Sequence, residues 1–466
     1  MTQDHSIAAL LAPDILELLE SQPDQIATET EELHPADLAD VAEALPRERL
    51  TAFLSALPAD RAADVLEYLD DELRTEVLES MSTRQAAELV TQMTPDDRAD
   101  ALEELEDETY EEILSEIPAE ARRETEQLIA YDPDTAGGLM TTEFVSVPED
   151  TTVENALVSV RRLARSNKKE AMHAIYAAGP NNTLKGVLSL RELLAAPEGA
   201  YISDIAWAEP VSVTANSDRE EVARLTSNYD LVAIPVVDDD NRIIGVVTVD
   251  DVIDALQEEH TEDVQKFGGM EALDEPYMQI GFFAMIKKRA GWLSALFLSE
   301  MLTASAMQHF SDELAKAFVL SLFIPLVMSS GGNSGSQATS LIIRALALDE
   351  IRLKDWWRVA LRELPSGLVL GAILGVIGFV RITIWQHTGL YNYGEHYLLL
   401  AFTIAVSLTG IVTFGSLTGS MLPFVLRRLG FDPASASAPF VATLVDVTGI
   451  SIYFYVAYLI LHGSLL

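Results

Sequence analysis

The feature that most constrains this chain is an apolar run near its end. It begins at Ala438-Pro-Phe-Val-Ala-Thr-Leu-Val-Asp446-Val-Thr-Gly449 and continues to about Leu461. A helix rises about 1.5 Å per residue, so a run of this length can cross a hydrocarbon core of roughly 30 Å. One carboxylate, Asp446, lies inside it. An acid at membrane depth is costly unless it faces protein, water or a cation, which makes Asp446 a functional candidate. The plain alternative is a structural hydrogen bond to a neighbouring helix. Thr443, one helical step earlier, shares the face of Asp446. Pro439 suits a first helical turn, where its missing N–H is not needed.

Charge divides the chain in two. Residues 1–280 carry 63 Asp and Glu against 19 Lys and Arg, a net charge of −44. Residues 281–466 carry 10 acids and 12 bases, a net of +2. A very acidic water-facing half thus precedes a near-neutral apolar half. Nucleic acid is excluded as an expected partner, because phosphate binding needs basic patches. A field this negative collects cations. The chain has no cysteine, which removes disulfides and thiolate metal sites. The opening Met-Thr-Gln-Asp-His has no basic or apolar stretch, so no cleaved signal peptide is expected.

In the apolar half, five segments are expected to span the membrane: Arg289–His309, Leu314–Ile343, Trp356–Ile384, Tyr397–Leu426 and Pro439–Leu461. Lys287, Lys288 and Arg289 precede the first. Arg344, Arg352, Lys354, Arg358 and Arg362 follow the second, and Arg427 and Arg428 follow the fourth. The alternate loops hold only Lys316 and Arg381. The positive-inside rule then puts the N-terminus in the cytoplasm and the C-terminus outside. An odd number of spans favours a homodimer with a pore near its two-fold axis. The second segment contains Pro325-Leu-Val-Met-Ser-Ser-Gly-Gly332-Asn333-Ser-Gly-Ser-Gln337. Proline and paired glycines are expected to loosen the helix and free carbonyls that, with the Asn333 amide, suit a hydrated cation. Close helix packing through small residues is the alternative. Only Glu300 and Asp446 are acids clearly inside segments. No His-Glu-x-x-His, phosphate loop or nucleophile elbow appears, so no enzyme activity is expected.

The acidic half has three parts. From Leu33, apolar anchors recur every twelve residues at Leu45, Leu57, Leu69, Met81, Met93, Leu105 and Ile117. Each is followed by a helix-start signal, which predicts stacked helices in an all-α superhelix. Asp96, Asp97 and Asp100 decorate it, and capping on a solvated face is the simpler reading for them. Next come two similar blocks, headed by Val145-Ser-Val147 and Val211-Ser-Val213. They end in Gly186-Val-Leu-Ser189-Leu-Arg-Glu192 and Gly245-Val-Val-Thr248-Val-Asp-Asp251. Each reads strand, helix, strand, strand, helix. This duplication resembles a tandem CBS pair. The resemblance implies that Ser189 and Glu192, or Thr248 and Asp251, can meet phosphate and ribose, with Arg191 available for phosphate. Finally, Asp250, Asp254, Glu258 and Glu262 line one face of an acidic connecting helix. Their repulsion would be relieved by a bound hard cation.

Taken together, these parts resemble the MgtE family of magnesium channels. The sharpest motifs are Gly331-Gly-Asn-Ser-Gly-Ser-Gln337, Leu341-Ile-Ile-Arg-Ala-Leu-Ala347 and Pro439 to Gly449. The resemblance implies a Mg²⁺ pathway for uptake in a homodimer, with a hydrated ion held by Asp446 and with Asn333, Gly332 and Thr443 nearby. It implies closure by cytoplasmic Mg²⁺ on Asp218, Glu220, Asp230, Asp250, Asp251, Asp254, Glu259 and Glu262, with repeat-domain partners among Asp97 and Asp100. ATP is a further ligand of some members; Arg191, Glu192 and Asp230 would face it here, and Leu231 stands where an aromatic could stack on adenine. The expected architecture is multidomain: a helical domain over 1–131, an α/β CBS pair over 132–255, a connecting plug helix over 256–286 and a five-helix membrane domain over 287–466. The competing readings are a CBS-regulated transporter of another cation or solute, and a membrane-tethered adenylate sensor. The first would predict internal symmetry among the segments, which five dissimilar helices do not show, and the second leaves Asp446 and the Gly-Gly-Asn stretch without a role.

Overall fold

The computed structural model describes residues 5–165, 174–273, 277–278, 280–311, 318–348 and 350–462. The chain forms two compact units, 1–257 and 258–466. Lys316 and the start of the second expected span lie outside the described residues.

The first unit opens with α1 (His5–Ser21) and then follows the twelve-residue period closely. Eight helices succeed one another: α2 (Pro35–Ala44), α3 (Arg47–Ser55), α4 (Ala59–Glu67), α5 (Asp71–Ser80), α6 (Thr83–Val90), α7 (Pro95–Glu103), α8 (Asp107–Glu116) and α9 (Ala119–Leu128). The period has a local cause. Each unit closes on an apolar anchor, and a capping or proline-bearing start follows it. Asp70 Oδ1 accepts from the Leu73 N–H at 2.9 Å, and Ser82 with Gln85 forms a capping box. The anchors Leu45 to Ile117 are all buried. Helices two apart pack together, α2 on α4, α4 on α6 and α6 on α8, beside a second row of α3, α5, α7 and α9. One short helix buries little apolar surface; the two rows bury a continuous core.

The two α/β blocks follow. In the first, β1 (Val145–Pro148) pairs parallel with β2 (Ile175–Ala178), and β2 pairs antiparallel with β3 (Leu184–Leu188), which carries the short β4 (Trp207–Ala208) at its edge. Helices α10 (Val153–Leu163) and α11 (Leu190–Ala195) accompany them. The second block repeats the plan, with β5 (Val213–Thr214) parallel to β6 (Ala233–Val237), β6 antiparallel to β7 (Ile243–Thr248), and α12 (Arg219–Tyr229) between β5 and β6. Tyr176, Leu184, Val237, Ile243 and Val246 form a core shared by the two blocks. From β7 the chain enters α13 (Val249–Phe267), the connecting helix, so Asp250 and Asp251 stand in its first turn. The division between the two units falls inside α13.

The second unit contains α14 (Phe282–His309), α15 (Ile324–Ala347), α16 (Trp356–Thr388), α17 (Tyr397–Arg428) and α18 (Ala438–Leu461). By length and composition the four from α15 onward can cross a bilayer. The fifth long helix, α14, packs along α18 and carries Lys287, Lys288, Arg289 and Glu300. One expectation is overturned: α15 is not broken at Gly331-Gly332. Pro325 sits in the first turn, where no N–H is missed, and the helix runs on unbroken through the glycines. Their purpose is close approach. A Cβ on Gly415 would strike the Gly331 carbonyl, and one on Gly419 would strike the Gly335 carbonyl. Ser334 and Ser416 hydroxyls meet at 2.7 Å, and Thr339 Oγ1 donates to the Gly419 carbonyl at 2.9 Å. Small residues and interhelical hydrogen bonds are how apolar helices hold together without a hydrophobic drive between them.

Candidate functional site

Within the membrane unit, α15 and α18 run antiparallel in a register that several contacts fix. A Cβ on Gly335 would meet Val441 at 2.7 Å, one on Gly331 would meet Val445 at 2.8 Å, and one on Gly449 would meet Met328 at 3.4 Å. This register sets Asp446 near the level of Gly331, and Thr443 near that of Asn333. Gly332 faces Ala442, whose Cβ would lie 3.2 Å from a Cβ added at Gly332. Thr443 is buried and its hydroxyl donates to the Pro439 carbonyl at 2.9 Å. Asn333 is exposed on the single chain, and Asp446 is half-buried. No Lys, Arg or His among the described residues forms an ion pair with Asp446. The expected freed carbonyls are not there, because the helix that would have supplied them is continuous.

In the first unit, acids from two regions converge. Asp97 stands within electrostatic reach of Asp250 and Asp254, and Asp251 within reach of Asp96 and Asp97. Asp96 is 6% exposed, and its Oδ1 has no hydrogen-bond partner. The solvated-face reading is therefore wrong for Asp96, which belongs with the site and was missed. Its Pro-Asp-Asp setting matches any helix start, and only the fold turns it inward. Thr141 stands beside Asp96, pinned by backbone bonds of 2.8 and 2.9 Å to Val246. Thr94 Oγ1 donates to Asp97 Oδ2 at 2.5 Å, and the Thr248 hydroxyl donates to Asp251 Oδ2.

The loss of water and the like charges around them raise Asp96, Asp97, Asp100, Asp251 and Asp254. Asp96 rises to about 7 through burial and then the charge of Asp97. Asp100 also rises to about 7 through burial, then Asp96 and Asp97. Asp97 and Asp254 rise chiefly by burial, and Asp251 rises well above its ordinary value by burial and then Asp96. All donors are hard oxygens, and Asp96 offers a buried oxygen with no partner, so the residues fit a divalent cation such as Mg²⁺. Among the described residues no three acids or histidines stand close enough together to hold an ion by themselves.

A stability prediction follows from these shifts. The unfolded chain releases the protons near the ordinary carboxylate value of about 4. The folded chain holds those of Asp96 and Asp100 up to about 7. Between these limits the folded state binds more protons, so their contribution is full below about pH 4 and is lost as pH rises through about 7. In a chelator, the melting temperature of the acidic half should fall by about 5 °C or more between about pH 5 and about pH 8. Saturating Mg²⁺ should flatten that slope by taking the place of the protons. Calorimetry across this range checks it; a melting temperature that rises with pH in the chelator sinks the assignment.

The remaining candidates are dispersed. Asp218 is the N-cap of α12, accepting from the Glu220 N–H at 2.8 Å, while Asp230 ends the same helix in a left-handed conformation, φ 51°. Eleven residues separate the two ends, so Asp218 and Asp230 cannot share one ion. Glu262 pairs with Lys266, whose Nζ also meets Asp432 at 2.8 Å. Burial and then Asp432 raise Asp263 to about 6. Lys266, Asp263 and Asp432 were not singled out in the sequence. Lys266 offsets Glu262 from within α13, one helical turn away. In the first CBS block, Glu192 Oε2 accepts from the Ser189 N–H at 2.8 Å and hydroxyl at 2.9 Å, and Oε1 accepts from the Trp207 Nε1–H at 2.7 Å. These bonds hold its carboxyl below the usual range. Arg191 is exposed beside it, and Leu231 packs against the core of the second block.

A repeat-helix domain, a CBS pair, a cluster of converging acids and membrane-length helices define an integral membrane protein with a strongly acidic N-terminal half. Known proteins agree. Residues 324–456 match the family model described as a divalent cation transporter, residues 33–134 match the MgtE intracellular N domain, and residues 136–199 and 202–258 match CBS domains. The chain is 43% identical over 342 residues to the magnesium transporter MgtE of Thermus thermophilus, covering 73% of each. It is 34% identical over 339 residues to that of Enterococcus faecalis, covering 73% of this chain and 72% of the other. The soluble part of a magnesium transporter is 30% identical with a TM-score of 0.50, covering 55% of this chain and 99% of that one. The cytosolic domain of the Mg²⁺ channel MgtE in complex with ATP is 37% identical with a TM-score of 0.50, covering 53% and 99%. The chain belongs to the MgtE family of divalent cation transporters.

Proposed function

We propose that this protein is a Mg²⁺ channel or transporter for uptake, closed by cytoplasmic Mg²⁺ that binds the acids of its N-terminal half. One observation carries the reading: the buried Asp96, its Oδ1 unpartnered, and the half-buried Asp97 stand within electrostatic reach of acids on the connecting helix, Asp251 for both and also Asp250 and Asp254 for Asp97. Such an arrangement is poised between repulsion without cations and closure with them. A ligand moves a gate only through its unequal affinity for the two states, and several weak sites acting together give a threshold. The names of the relatives supply the ion, and Asp446 is the acid that meets it in the pathway. The assembly is a homodimer, with the N-terminus cytoplasmic and the C-terminus outside. Its proposed regions are a helical domain over 1–131, a CBS pair over 132–255, a connecting region over 256–286 and a membrane domain over 287–466; the connecting helix itself, α13, starts earlier and ends sooner, at Val249 and Phe267. No catalytic step is assigned.

ATP is an accessory ligand at most. A relative's cytosolic domain holds it. In this chain Glu192 is engaged by Ser189 and Trp207, so a nucleotide must displace the Trp207 bond to use that acid.

The test is Mg²⁺ flux into proteoliposomes of the whole protein, with and without Mg²⁺ on the cytoplasmic face. Flux that falls as internal Mg²⁺ rises is expected. Flux indifferent to internal Mg²⁺ removes the regulatory role, and no flux of any divalent cation removes the transport role.

A further inference from the structure

Glu300 has no part in the function proposed above, yet its position is well defined. Helices α14 and α18 run parallel, and contacts at two levels fix their register. Near one end, Trp292 Nε1–H donates to Ser437 Oγ at 3.3 Å, and the Trp292 ring lies 6.4 Å from that of Phe440. Further along, Phe310 stacks on Phe454 with centroids 4.9 Å apart. Between these fixed levels both helices advance at nearly the same rate, which brings Glu300 level with Asp446. The two carboxylates lie within electrostatic reach of each other.

Glu300 is exposed on the single chain, and no base among the described residues pairs with it. Three bases of this unit are engaged elsewhere: Lys266 with Glu262 and Asp432, Arg358 with Asp355, and Arg381 over the rings of Phe323 and Trp385. A carboxylate at the depth of Asp446 with no counter-charge is strongly disfavoured unless it faces water and cations.

We infer that Glu300 is a specificity-determining residue of the pathway that Asp446 defines, its charge adding to that of Asp446 in drawing a hydrated divalent cation to that level. The inference rests on the reading of Asp446 as the pathway acid. Attraction to two carboxylates scales with the charge of the cation, so a second acid favours divalent over monovalent ions. It acts through the ion's retained water and therefore separates charge more than size.

Flux into proteoliposomes of the whole protein tests this with Glu300→Gln and Glu300→Asp. Glu300→Gln should raise the half-saturating Mg²⁺ concentration by about five- to tenfold and lower the preference for Mg²⁺ over Na⁺. Glu300→Asp should restore both. A merely structural role lowers the amount of active protein and so the maximal flux, with half-saturation unmoved; that outcome overturns the inference, as does an unchanged Glu300→Gln. Flux that survives Asp446→Ala overturns the underlying reading of the pathway instead, and is seen whatever stands at position 300.

Discussion

Asp446→Ala should reduce Mg²⁺ uptake into proteoliposomes by about a hundredfold or more, while the protein still elutes as a folded particle. Asp446 is the acid inside α18, half-buried, with no ion pair among the described residues. A doubly charged ion crossing a bilayer loses most of its bulk solvation field, and a nearby carboxylate supplies part of what is lost. At an effective dielectric of about 20, one carboxylate about 5 Å from a divalent ion is worth several kcal/mol, of which about 2.7 accounts for a hundredfold. Asp446→Asn keeps shape and hydrogen-bonding capacity and removes only charge, so it should fall as far. Undiminished conduction in Asp446→Asn would move the cation site elsewhere. The α15–α17 contact lies on the Gly331 and Gly335 carbonyls and not on Asp446, so the fold has no reason to fail in either variant.

The second large effect concerns closure. Replacing Asp250, Asp254 and Glu259 together by their amides should keep flux high at internal Mg²⁺ concentrations that shut the unaltered protein, moving half-inhibition upward by about tenfold or more. Asp250 and Asp254 project from α13 toward Asp97 of the repeat domain, and Asp254 is raised by burial and by Asp250. Without these charges the ion loses its unequal affinity for the closed arrangement, and without that difference it shifts nothing. Flux measured at stepped internal Mg²⁺ reads the effect. Normal shut-off in the triple variant would demote these acids to a solvated helix face.

Local, periodic features of this molecule were legible in the sequence, and features made by distant partners were not. The twelve-residue spacing of anchors from Leu45 to Ile117 reappears as helices starting twelve residues apart, because each unit carries its own cap and its own apolar stop. The CBS duplication was equally plain, since strands and turns repeat in order. Asp96 was misread because Pro95-Asp96-Asp97 spells a helix start, and no local rule tells which of two adjacent acids faces inward. The glycines of α15 were misread for a related reason. A helix breaker and a packing contact look alike until the partner is known, and Gly415 and Gly419 lie about eighty residues away. Lys266 meets an acid 166 residues distant, beyond any window of sequence.

The glycine contact between α15 and α17 also limits how this protein can move. Where backbone rests directly on backbone, there are no side chains to swing, repack or absorb a shift. Ser334 with Ser416 and Thr339 with Gly419 pin the same seam. The two helices therefore behave as one strut, and sliding one past the other would have to break all of these contacts together. By contrast, α14 meets α18 through aromatic rings, Trp292 by Phe440 and Phe310 by Phe454, which can tilt without breaking a backbone contact. A shift of α14 against α18 therefore disturbs less than a shift of α15 against α17.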